Sequence, residues 1–123
     1  MSFAVGQYQA TTVETASPAQ LVVVLYDGAL RFLRQAAAAA EGGEIAKRGM
    51  ALGRAHAIVT ELQATLQPEH APELCAQLDG LYGFVLEKIT EANLKGDPAP
   101  LVPAVKVLEQ LREAWAQVAK ETR

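Results

Sequence analysis

Apolar side chains return along this chain every three or four residues, and no window alternates at period two, so the pattern predicts helices rather than strands. In the first helical stretch Val22, Leu25, Ala29, Phe32, Leu33 and Ala36 form one stripe, and Asp27, Arg31 and Arg34 form a charged one. Asp27 and Arg31 stand in the favourable i,i+4 order for an ion pair. Leu21, Val23, Val24 and Leu30 fall outside the stripe, so this helix is apolar on more than one side. A second helix, about 44 to 66, repeats Ile45, Leu52, Val59 and Leu66 at seven-residue intervals with Ala55 and Leu62 between them, as in bundle packing. A third, about 72 to 95, carries Leu74, Leu78, Leu81, Val85, Ile89 and Ala92. The fourth has the clearest stripe, Leu101, Ala104, Val105, Leu108, Leu111, Trp115 and Val118, which predicts Trp115 in the core.

Punctuation between the stripes sets the topology. Ser17, Pro18 and Gln20 carry the marks of a helix start, with a serine cap, proline at the first helical position and glutamine reaching back as in a capping box. Gly42-Gly43, the Pro68 to Pro72 stretch, and Gly96 followed by Pro98, Pro100 and Pro103 separate the four helices. Connections this short place neighbouring helices antiparallel. The expected fold is all-α, an antiparallel up-down four-helix bundle over residues 16–123 with a flexible N-terminal segment over residues 1–15. That segment has no sustained period, yet Phe3, Val5, Tyr8 and Val13 are apolar enough to dock. Gly49 and Gly53, four residues apart, predict a close helix contact inside the bundle.

Composition then narrows the function. The 123 residues suit one domain, and 11 basic against 14 acidic side chains give a net charge of −3, which leaves no positive field to neutralise a nucleic acid backbone. Cys75 stands alone, which rules out an internal disulfide or thiolate metal cluster and suits a reducing compartment. The longest aliphatic run, Leu21 to Leu25, is far below the ~20 residues that span a bilayer, so a soluble cytoplasmic protein without membrane insertion is expected. His56 follows Gly53 rather than a glutamate at i−3, and His70 lies in a proline-flanked loop, so neither fits a bundle metal centre. Ser2 and Ser17 are the only serines, and Gly42-Gly43 lacks the strand and the Lys-Ser/Thr of a phosphate loop. No catalysis, metal or cofactor is expected.

What remains is apolar surface beyond the needs of the main seams. Helix one exceeds a single stripe, and Ile58, Tyr82, Phe84 and Leu86 fall off the seams of helices two and three. Two uses are open at this point: a wide core, or a groove for an amphipathic helix or extended peptide. A structural or oligomerising bundle, with the extra stripe buried against an identical subunit in a homodimer, is the competing class.

The run Val13-Glu14-Thr15-Ala16-Ser17-Pro18, followed by Leu25-Tyr26-Asp27-Gly28-Ala29-Leu30-Arg31-Phe32-Leu33, resembles the opening of the flagellin export chaperones, the FliS family of bacterial flagellar secretion. Thr60-Glu61-Leu62 through Leu66, Leu81-Tyr82, Glu91-Ala92-Asn93-Leu94 and Leu108 to Trp115 are similar to the family's later helices, so nearly the whole chain is covered. It departs at Gly83 to Glu87, often richer in basic side chains among relatives, and at Gln67 to Pro72, commonly a glycine-containing loop. The resemblance implies a cytoplasmic bundle that binds the disordered C-terminal segment of flagellin and prevents premature polymerisation. It further implies delivery, as the loaded complex, to the cytoplasmic domain of the flagellar type III export gate, without ATP or other cofactor. Val5 and Tyr8 match the family's apolar and tyrosine positions in the N-terminal segment, as lid or client contact. Leu21, Leu25, Tyr26, Ile58, Tyr82 and Asn93 complete the client-binding candidates. Tyr26 and Tyr82 also suit a buried hydrogen-bonded pair, and Asn93 a helix cap.

Overall fold

A computed structural model describes residues 17–121, which form four helices: α1 Pro18–Glu41, α2 Ile45–Ala64, α3 Pro72–Lys95 and α4 Leu101–Glu121. Local chemistry sets most of their ends. The Ser17 hydroxyl accepts from the Gln20 N–H at 3.2 Å, and the Gln20 side-chain oxygen accepts from the Ser17 N–H at 2.8 Å, so the capping box satisfies two donors that α1 would otherwise leave bare. α3 closes on Gly96, whose φ of 65° is the left-handed conformation glycine adopts without strain. Pro103 stands in the first turn of α4, where its missing N–H has no helical acceptor to lose. The Asp97 carboxylate accepts from the Ala99 N–H at 2.9 Å and orders the link between α3 and α4.

Polar contacts across the bundle give its register. Arg34 meets Glu109 and Asp27 meets Arg112, so α1 and α4 run in opposite directions. Arg48 donates to the Asn93 carbonyl and Gln63 to Asp79, so α2 and α3 do the same. α1 packs against α2 and α4, and α3 against the same two helices. Having two large neighbours is why α1 is apolar on two sides: Leu25, Ala29, Leu33 and Ala36 are buried, and so are Tyr26 and Leu30. Leu52, Val59 and Leu62 from α2, Val85 and Ile89 from α3, and Leu101, Ala104 and Leu108 from α4 complete one contiguous core.

Several local expectations give way to tertiary structure. Asp27 pairs with Arg112 of α4 at 2.7 Å rather than with Arg31, because α4 brings a guanidinium directly alongside, while Arg31 and Arg54 stack over the Phe32 ring. Gly49 and Gly53 make no close helix contact: the core face of α2 is carried by Leu52, Ala55 and Val59, and a Cβ at either glycine would meet nothing within 4 Å. Val118 is exposed, so the stripe of α4 outlasts the core.

Candidate functional site

In an up-down bundle the start of α1, the end of α2, the start of α3 and the end of α4 share one end of the molecule. There the four helices enclose an apolar groove of about 770 Å³. α1 contributes Leu21, Val22 and Leu25, and the end of α2 with the turn after it contributes Leu62 and Leu66. Leu74, Leu78 and Tyr82 face it from α3 and Trp115 from α4. Small side chains at Ala19, Ala64 and Cys75 leave space between these larger walls unfilled. Among the described residues Glu61 is its one charged wall residue, and the chain carries no Lys or Arg between Arg54 and Lys88, so the α2–α3 rim is acidic.

At the wall lies a polar cluster in an otherwise apolar setting. The Tyr26 and Tyr82 hydroxyls are 2.5 Å apart, with the rings tilted and their centroids 6.4 Å apart. Tyr26 is completely buried and Tyr82 nearly so. Burial, and then the hydrogen bond to Tyr82, push the Tyr26 phenol far above its ordinary range, and the nearby Trp115 indole offsets part of that rise. Burial also raises Tyr82, while its hydrogen bond with Tyr26 pulls the other way.

Of the residues singled out from the sequence, the structure brings Leu21, Leu25 and Tyr82 together on the groove wall, with Tyr26 bonded behind them. Ile58 is a core residue and is not among the groove's lining residues, because it shares the inward face of α2 with Ala55, Val59 and Leu62. Asn93 is exposed near the far end of α3, eleven positions beyond Tyr82 and so about 16 Å along the helix axis. Its carbonyl accepts from Arg48, and Gly96 caps the helix. Val5 and Tyr8 lie outside the described residues. Trp115, expected in the core, is half-buried and closes one side of the groove. Val22, Leu66, Leu74 and Leu78 were not singled out as site residues; their shared signal is that all lie within three turns of a helix end at the same pole. Among the described residues no helix is long and apolar enough to cross a membrane, and no three His, Cys, Asp or Glu side chains are grouped as metal ligands.

Comparison with known proteins places this architecture. The family described as Flagellar protein FliS matches residues 1–122. The flagellar secretion chaperone FliS of Vibrio cholerae is 35% identical over 89% of this chain and 80% of its own length. That of Bacillus subtilis is 33% identical over 94% of this chain and 86% of its own, and that of Salmonella typhimurium 33% over 89% and 82%. With the family match running over all four helices and both edges of the groove, the chain belongs to the FliS family of flagellar secretion chaperones.

Proposed function

We propose that this chain is a cytoplasmic export chaperone for flagellin, that it holds the disordered C-terminal segment of flagellin in the groove between Leu25, Leu66, Leu78 and Trp115, and that it passes the loaded subunit to the cytoplasmic domain of the flagellar export gate. The observation that carries this reading is the open apolar groove itself, about 770 Å³ at one pole of the bundle, beside a contiguous core. A segment that will later pack as helix in a filament has apolar positions exposed while it is unfolded. Covering them with Leu21, Leu25 and Leu78 prevents them from finding one another, and the burial is non-directional enough to leave the segment free of a fixed tertiary fold. Release needs only a competing surface, so the mechanism uses neither nucleotide nor metal and makes the protein a binder rather than an enzyme. Val5 and Tyr8 join this reading because their segment enters α1 at Pro18 and Ala19, which line the groove.

Isothermal titration of a synthetic C-terminal flagellin peptide into the protein at several temperatures tests it. Saturable binding with a negative heat-capacity change is expected, the mark of apolar burial coupled to ordering of a disordered segment. Absence of heat and of competition by full-length flagellin at micromolar concentrations contradicts it.

A further inference from the structure

Charge is unevenly spread along this chain. Residues 55–87, which run from the middle of α2 through the turn into α3, carry five acidic side chains and no lysine or arginine, against nine acidic and eleven basic ones elsewhere. Outside this stretch most acids have found cations: Asp27, Glu44, Glu91, Glu109 and Glu113 all stand in ion pairs. Among the described residues no cation pairs with Glu61, Glu69, Glu73, Asp79 or Glu87. Asp79 takes only the neutral side-chain amide of Gln63, at 3.1 Å.

Three of these carboxylates border the groove on its α2–α3 side. Glu61 is on the wall, and Glu69 and Glu73 are exposed in the stretch between the lining residues Gln67 and Leu74. Glu61 also stands in the last turn of α2, where the helix dipole favours a cation over an anion, and that turn holds no basic residue. Its placement runs against local preference, and such departures concentrate at functional surfaces. Across the same pole Lys120 lies on the α1–α4 side, beside Gln20 and Val23. Residues 1–16 of the chain itself hold no lysine or arginine with which to cover the acidic rim.

We propose that the groove selects an apolar client segment flanked at one end by lysine or arginine, and that Glu61, Glu69 and Glu73 orient it with the basic flank over the α2–α3 turn. The proposal rests on the reading of the groove as the client site. Apolar burial has no direction, so walls such as Leu25, Leu78 and Trp115 accept a segment laid either way round. An acidic rim on one side only breaks that symmetry, because complementary charge across an interface fixes register and speeds encounter more than it adds affinity. The reversed segment leaves the three carboxylates unmatched and brings its cations towards Lys120, a like charge.

The test titrates the full chain with a synthetic C-terminal flagellin peptide extended by two lysines, two glutamines or two glutamates, at one end or at the other. At one end only, the lysine peptide is expected to bind about three- to tenfold tighter than the glutamine peptide in low salt, and the glutamate peptide weaker by a similar factor. Two exposed ion pairs of ordinary strength give a change of that size, and the spread is expected to close in molar salt. The triple variant Glu61→Gln/Glu69→Gln/Glu73→Gln changes only exposed or part-exposed side chains and leaves the core untouched. It is expected to bind the three peptides alike, and the glutamine peptide within about twofold of the parent. Parent protein that binds none of the peptides removes the client reading itself. Parent protein that binds them with no spread, with an equal spread at both ends, or with a spread that survives in the triple variant or in molar salt overturns the orienting role of the rim alone.

Discussion

Leu108 and Leu111 lie on the same apolar stripe of α4, yet the structure separates their energetic roles. Leu108 is wholly buried in the contiguous core, whereas Leu111 is half-buried and packs against its edge. Leu108→Ala deletes the equivalent of three buried methylenes, about 2.4 kcal/mol of lost transfer energy. A further ~1 kcal/mol comes from the cavity that α1 and α3 cannot fill by moving, so about 3 to 4 kcal/mol is expected in all. Leu111→Ala loses roughly half the transfer contribution and opens to solvent rather than leaving a void, so about 1 to 2 kcal/mol is expected. Urea unfolding followed by helical circular dichroism reads both, and an unchanged slope against denaturant shows that the unfolded state is the same. For a domain of this size the larger loss corresponds to a fall of about 10 to 20 °C in Tm. A cost below about 1 kcal/mol for Leu108→Ala, or equal costs at both positions, would refute the placement of the core.

Both buried phenols hold their protons more tightly folded than unfolded, so stability is full below about pH 10 and falls as the pH rises past it. In an alkaline absorbance titration two of the three tyrosines should ionise only as the helical signal disappears; reversible ionisation of all three in the folded protein contradicts this. Gly96→Ala forces a side chain into a φ of 65° with its Cβ 2.9 Å from an Arg48 guanidinium nitrogen, and should cost about 1 to 2 kcal/mol in thermal melts. Gly53→Ala, in open space on an exposed turn of α2, should instead stabilise by roughly 0.5 to 1 kcal/mol. A double-mutant cycle on Asp27 and Arg112, each part-exposed, should give a coupling of about 0.3 to 1 kcal/mol that shrinks in molar salt; a salt-independent value argues against the ion pair.

Features written in consecutive residues were open to reading from the chain alone. The capping box of Ser17 and Gln20, the Gly96 cap and the middle of the inward faces of α2 and α3 are of this kind, because each depends on neighbours within a turn or two. Ile45 and Leu74, expected on those faces, instead lie in first turns beyond the core and are exposed, as is Leu81 at the edge of the α3 face. Asp27 shows the limit: its best local partner is Arg31, but a helix 85 residues away in sequence supplies a closer one. The groove lies beyond that limit as well. It exists because Ala19, Ala64 and Cys75, from three helices, meet at one pole and underfill it, and no single helical pattern contains that coincidence. Leu21 gave a partial signal by falling outside the stripe of α1. Trp115 gave a misleading one, since it continues the strongest stripe of α4 past the point where the core ends.

Trp115 is the one tryptophan of the chain and stands on the groove wall, so its fluorescence reports the occupancy of that site and of no other. The most direct measurement is therefore a titration of the protein with a tryptophan-free C-terminal flagellin peptide, followed by Trp115 emission and by its quenching with acrylamide. Occupation of the groove predicts a saturable blue shift and loss of quencher access, with the same midpoint as the calorimetric heat, and abolition of both by Leu25→Glu in a protein that stays helical. Calorimetric binding with emission and quenching unchanged would mean that the client sits elsewhere on the bundle, and the assignment of the groove as the client site would fall.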